Sequence, residues 1–190
     1  MNKNKIIECN QMSGSGRSPD LPSRNKKYSE GYHFVTIVTN NRIKVFKYKE
    51  IARIAAKVIS FYEERFDYRL IGFTIMPDHI HIICNPIKEI STIVRDIKKY
   101  IAKEAISYLP EVDRDMLLSI KMLSPKKKKH IYQFWQMDFY DFNILNEAKL
   151  NEKLKYMYEN PVRKNLCNDI FDYEFSDIKK YFGSGDPKLP

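Results

Sequence analysis

The alternation and spacing of apolar positions divide this chain into seven elements. Tyr32 to Thr39 alternates as a strand, and Asn40-Asn41 ends it. From about Tyr48 to Arg65, Ile51, Ile54, Ala55, Val58 and Phe61-Tyr62 recur at the spacing of one helix face. Tyr68 to Met76 reads as a second strand and His79 to Cys84 as a third. Only Pro77-Asp78 separates them, which predicts a hairpin closed by Asn85-Pro86. Ile90 to Leu109 carries Ile90, Ile93, Val94, Ile97, Ile101 and Ile106 at helical spacing. Glu111 to Leu123 is ambiguous, with room for a short helix. Phe134 to Leu145 is extended with one strand, and Glu147 to Glu159 is a helix ended by Pro161. Aromatics between Phe171 and Phe182 are expected to pack against the rest of the chain. The order β-α-β-β-α-β-α contains the ferredoxin-like β-α-β-β-α-β plan. It predicts an α+β fold with a mostly antiparallel sheet and an added C-terminal helix. Residues 1–27, polar and rich in Ser, Gly, Pro and Asn, read as a flexible N-terminal tail. Residues 28–183 read as the domain, and residues 184–190 as a loose C-terminus.

The third strand holds the first candidate chemistry. In Met76-Pro77-Asp78-His79-Ile80-His81-Ile82-Ile83-Cys84, alternation puts His79 and His81 on one face and Ile80 and Ile82 on the other. The isoleucines can fill a core. Two neighbouring imidazoles make a ready pair of metal ligands. On spacing alone, a metal pair and two incidental histidines on a wet sheet face both stay open. His33 shares the face of Val35 and Ile37 and reads as structural.

The helix from Glu147 offers the second. On a helical wheel Leu150, Leu154, Met157, Tyr158 and Pro161 form the expected buried side. Lys149, Glu152, Lys153, Tyr156 and Asn160 form the polar side. Tyr156 and Asn160 lie one turn apart. A positioned nucleophile and a merely exposed aromatic are both open readings of Tyr156 at this point.

Composition narrows the partners. The 190 residues carry 33 Lys+Arg against 24 Asp+Glu, a net charge of +9, which favours polyanions such as nucleic acid. Thirteen Tyr and eleven Phe add surfaces on which bases can stack. Arg95, Lys98, Lys99 and Lys103 on the second helix, with Lys126, Lys127, Lys128 and Lys129 in a basic loop, are candidate phosphate contacts. Cys9, Cys84 and Cys167 form neither a disulfide framework nor a zinc spacing. No apolar run approaches the ~20 residues of a membrane helix, and the polar N-terminus lacks a signal-peptide core, so a cytoplasmic protein is expected.

The ordered combination of Met76-Pro77-Asp78-His79-Ile80-His81 and Tyr156-Met157-Tyr158-Glu159-Asn160-Pro161-Val162-Arg163 resembles the single-tyrosine HUH transposases. HUH denotes histidine, hydrophobic residue, histidine, and the likeness is to the REP-associated tyrosine transposase branch. Tyr28 to Ile37, Phe134-Trp135-Gln136, Asp141-Phe142 and Tyr173-Glu174-Phe175-Ser176 extend it over most of residues 28–182. The resemblance implies an HUH endonuclease fold, with His79, His81 and Asn160 binding a divalent ion, Mg²⁺ or Mn²⁺, and Tyr156 as the catalytic nucleophile. It implies cleavage and rejoining of single-stranded or hairpin-flanking DNA through a covalent 5′-phosphotyrosine, by a monomer or a homodimer. A phenol of pKa ~10 gains from help in losing its proton; Lys153, one turn away, is a candidate, although a solvated side chain is the favoured reading of it. A non-catalytic nucleic-acid-binding module and an unrelated His-x-His hydrolase are the competing readings.

Overall fold

The structure, a computed structural model, describes residues 31–65, 67–121 and 132–182. Lys126 to Lys129 and both terminal segments lie outside the described residues. Four strands, β1 (Tyr32–Val38), β2 (Tyr68–Met76), β3 (His79–Pro86) and β4 (Tyr140–Ile144), form one sheet in the order β2-β3-β1-β4. Every neighbouring pair is antiparallel. This is the expected ferredoxin-like plan: each β-α-β unit is split by a strand of the other, which places β3 and β1 in the centre.

The helices divide between the two faces. α1 (Lys49–Glu64) and α2 (Ile90–Val112) pack together over one face. Ile51, Ala55, Ile59, Ile93, Ile97 and Ile101 meet Val35, Ile37, Ile75, Ile80 and Ile82 there. The ambiguous segment after α2 contains a short helix, α3 (Arg114–Ser119), capped where the Met116 amide donates to the Asp113 carboxylate. α4 (Glu147–Arg163) covers the second face, where Leu150, Met157 and Tyr158 pack on Phe34, Ile71, Ile83 and Ile144. Both faces are therefore buried, and the face carrying the odd-numbered residues of β3 is not wet.

α4 runs past its expected end. Pro161 sits inside its last turn, and the helix closes instead around Asn165, whose φ of 55° is left-handed. The Leu166 amide donates to the Pro161 carbonyl and the Asn165 amide to the Val162 carbonyl, both at 2.9 Å, the paired bonds of a Schellman cap. α2 likewise continues through Pro110 to Val112. Among the described residues no helix is long and apolar enough to cross a membrane.

α4 lies very close to the sheet because β2 has a glycine beneath it. A bulge at Ile71 shifts the register between Leu70 and Gly72. A Cβ on Gly72 would stand 2.5 Å from the Tyr158 hydroxyl and 2.9 Å from Met157 Cε. The Tyr158 hydroxyl cannot yield freely, since it donates to Asp177 Oδ1 at 3.1 Å. Asp177 belongs to a closing segment that covers the free edge of β2. The Phe73 amide donates to its carboxylate at 2.8 Å, the Ile75 amide to the Phe175 carbonyl at 2.9 Å, and the Tyr173 hydroxyl to the Ile75 carbonyl at 2.7 Å. An exposed strand edge is a template for aggregation, and this segment blocks it. A short terminal helix, α5 (Ile178–Phe182), follows.

Two predictions follow from this packing. Gly72→Ala overpacks the α4 contact and should destabilise the fold by about 1–3 kcal/mol in urea unfolding; an unchanged midpoint would show that α4 is free to rise. Burial pushes the Asp177 carboxyl up to about 6, although the Phe73 amide and the Tyr158 hydroxyl pull the other way. An acid whose folded pKa is raised above its unfolded value of 3.8 gains stability from its proton below that value and loses it as pH rises through 6. Wild type should therefore lose roughly 2–3 kcal/mol relative to Asp177→Asn between pH 4 and 7. A stability difference that stays flat over that range would contradict the assignment.

Candidate active site

Strand alternation decides which residues of the sheet can meet α4. His79, His81 and Ile83 share the α4 face of β3. Pairing sets Thr36 of β1 and Thr74 of β2 on either side of His81. Phe34 lies one step further along β1 on the same face, and Tyr140 of β4 pairs with Thr36 in the same row as His81. Cross-strand neighbours stand about 5 Å apart, so His81 is enclosed from both sides before α4 is added.

Each imidazole is held at Nδ1 and turned inward at Nε2. His81 Nδ1 is 2.8 Å from the Thr36 hydroxyl, and His79 Nδ1 is 2.5 Å from Asp78 Oδ1. Burial alone would raise the Asp78 carboxyl, but the His79 hydrogen bond and charge, and then Arg42, outweigh it and bring it down to about 2. Asp78 is thus ionised and can only accept, which places a proton on His79 Nδ1 and leaves Nε2 as the nitrogen turned toward His81. His81, 3% exposed, is held well below the usual imidazole pKa, first by burial and then by the neighbouring His79, with Asp78 opposing. It is neutral at physiological pH, the form that ligates metals.

α4 completes the site. The Asn160 side-chain amide is 2.9 Å from His81 Nε2, and His79 Nε2 is 3.1 Å from that same atom. Asn160, on the polar side of the wheel, is 5% exposed and faces a buried imidazole. An amide can turn either its oxygen or its nitrogen inward. Tyr156, one turn earlier, is 40% exposed, with its ring edge-on to His81 at 5.7 Å and to Phe34 at 6.0 Å. Phe34 itself stacks on His81 at 5.2 Å. The Arg163 guanidinium lies 5.6 Å from the Tyr156 ring centroid, and Lys153 sits over the Phe34 and Phe142 rings at 5.5 and 4.7 Å.

The donor set fits a divalent ion. Adjacent ligands of an octahedral ion with ~2.1 Å bonds lie roughly 3 Å apart, and the three side chains already present that spacing at His81 Nε2. Among the described residues no cluster of three His, Cys, Asp or Glu side chains is suited to a metal, so two imidazoles and an amide are the donors this fold offers.

Two other tyrosines on this face, Tyr158 and Tyr140, are less accessible or less readily ionised. Tyr158 is buried with its hydroxyl on Asp177, and burial raises the half-buried Tyr140. The structure does not bring the basic candidates of α2 to the site, because α2 packs on the opposite face of the sheet. There Lys98 donates to the Gln136 and Met137 carbonyls at 2.7 and 3.1 Å, and Arg95 pairs with Asp96. Lys99 lies over the Tyr100 ring, and Lys103 stands near Glu104. His33 is buried as expected, with Nδ1 2.8 Å from Asp141. Thr36, Asp78 and Phe34 are the site residues that sequence reasoning missed. Asp78 adjoins His79 in sequence, which was a usable signal; Thr36 and Phe34 depend on strand register.

Comparison with known proteins identifies the family. The family described as "Transposase IS200 like" matches residues 26–160. A protein of Haemophilus influenzae named as a REP-associated tyrosine transposase is 24% identical over 155 residues, covering 79% of this chain and 81% of that one. The solved structure of a REP-associated tyrosine transposase bound to a REP hairpin superposes with a TM-score of 0.64 at 18% identity, covering 86% of each chain. A transposase structure from Deinococcus radiodurans covers 73% of this chain at a TM-score of 0.46 and 18% identity. The chain belongs to the family of IS200-like transposases, and its likeness within that family runs to the REP-associated tyrosine transposases.

Proposed function

We propose that this transposase cuts and rejoins single-stranded DNA, or the single-stranded flank of a hairpin, through a covalent bond to Tyr156. The observation that carries the reading is the solvent-reachable Tyr156 ring set against His81, with Asn160 of the same helix closing on His81 Nε2. A divalent ion, Mg²⁺ or Mn²⁺, held by His79, His81 and Asn160 would polarise the scissile phosphodiester. Neutral imidazoles and an amide leave the positive charge of that group free for the phosphate.

In the proposed step the Tyr156 oxygen attacks phosphorus as its proton passes to solvent. An oxygen–phosphorus bond forms, the bond to the 3′ oxygen breaks, and the leaving oxygen takes up a proton. The product is a 5′-phosphotyrosine and a free 3′-OH. The phosphodiester is conserved in kind, so a second 3′-OH can reverse the reaction and join strands without ATP. The Phe34 face beneath Tyr156 limits the ring's freedom and keeps it over His81. The hairpin bound by the structural relative supports a hairpin substrate here. Arg163 and Lys153 are the cations beside Tyr156, and salt should weaken binding steeply. Arg95, Lys99 and Lys103 serve this reading as a second phosphate contact on the far face.

The test is a denaturing gel of end-labelled hairpin DNA with single-stranded flanks, incubated with and without Mn²⁺. With a 3′-end label, wild type should form a protein adduct on the 5′ end of the downstream fragment, and only with the ion. Tyr156→Phe should lower adduct formation at least ~10³-fold while keeping hairpin affinity within about twofold. Cleavage that survives in Tyr156→Phe would point to a water nucleophile, and tight binding without any cleavage by wild type would make the protein a binding module.

A further inference from the structure

The turn after β1 adopts a backbone that its residues do not favour. Asn41 has φ 53° and ψ 22°, and Arg42 has φ 52°. Asparagine tolerates the left-handed region; arginine gains nothing from it. Two such residues in succession persist only where the surroundings impose them. Here they do. The fully buried Thr39 donates its amide to the Asp78 carbonyl at 2.9 Å, and its hydroxyl lies 2.8 Å from both the Ile43 and the Asp78 carbonyl oxygens. The Asn40 amide donates to the Phe134 carbonyl at 2.9 Å, and the Phe46 amide to the Pro77 carbonyl at 3.0 Å. The β1 turn and the Pro77-Asp78 hairpin are thereby one clamped unit.

The product of that clamp is a guanidinium aimed at a carboxylate. Arg42 Nη1 donates to Asp78 Oδ2 at 3.2 Å, and Asp78 Oδ1 receives His79 Nδ1 at 2.5 Å. The Arg42 side chain is 59% exposed. An exposed ion pair contributes too little to stability to repay two left-handed residues, so the turn is not explained by the pair alone. What the chain of contacts does reach is His79 Nε2, 3.1 Å from His81 Nε2.

We propose that Arg42 is a positioning residue for His79: it fixes the Asp78 carboxylate, which holds the imidazole with its proton on Nδ1 and its Nε2 lone pair turned toward the ion-binding point. This rests on the metal-assisted reading given above. Partners one step behind a metal ligand set its orientation and basicity, and losing one typically weakens metal binding 10–100-fold.

The test reads metal binding without DNA and without turnover. Free Mn²⁺ is titrated by electron paramagnetic resonance against wild type, Arg42→Ala, Asp78→Asn and the double variant, with circular dichroism confirming the fold of each. Each single change should weaken Mn²⁺ binding about 10-fold, and the double variant should lose no more than the weaker-binding single, because both act on the same contact. Arg42→Lys should recover part of the loss. Should Arg42→Ala fail to fold, Arg42→Gln carries the comparison. An Arg42 variant that binds Mn²⁺ within about twofold of wild type, or losses that add in the double variant, would overturn the proposal while leaving the Tyr156 adduct intact. A wild-type protein that binds no Mn²⁺ would overturn this proposal and the metal-assisted reading together.

Discussion

His81 is a fully enclosed imidazole, and enclosing it constrains the structure around it. A buried ring nitrogen without a partner is costly, so both nitrogens must be supplied. Thr36 of β1 supplies one; Asn160 of α4 and His79 of its own strand supply the other. Phe34 covers one ring face, and Tyr156 meets it edge-on. These contacts come from β1, β3 and α4, which are far apart in sequence, so the chemistry exists only once the sheet is paired and the helix has docked. Burial also keeps the imidazole neutral, so the same enclosure that demands partners suits the ring to the proposed ion.

Docking of α4 is therefore the event on which the proposed function depends. Its depth is set at Gly72, where no side chain separates β2 from Tyr158 and Met157. The Tyr158 hydroxyl then ties α4 to Asp177, and the segment around Asp177 covers the edge of β2. The closing segment protects a strand edge and at the same time locks the helix carrying Tyr156 and Asn160. On the other side of the site the clamped turns at Thr39 and Asp78 hold the near end of β3. The histidine pair is thus fixed from the hairpin end and closed over by the helix.

Much of this was legible in the chain because burial leaves a period. β2, β3 and α1 announce themselves by alternation or helical spacing, and the strand order follows from the split β-α-β plan. His79 and His81 share a face by alternation alone. The rest was hidden for identifiable reasons. A wheel sorts residues by polarity, so it groups Asn160 with the exposed Tyr156 and does not show that Asn160 is buried against a ring. Pro161 reads as a stop, yet a proline in the last turn is tolerated when a left-handed Asn165 closes the helix four residues later. The positive charge of α2 is visible in sequence, but only the sheet shows that it lies on the far face. Thr36 and Phe34 carry no signal before the register is known.

In the proposed mechanism, sheet and helix together make one ion-binding point beside Tyr156. Anomalous diffraction from crystals soaked in Mn²⁺ tests it most directly. The account predicts a single strong peak bounded by His79 Nε2, His81 Nε2 and the Asn160 side chain. A catalytically competent crystal form whose only manganese peak lies elsewhere, with those three side chains uncoordinated, would contradict it.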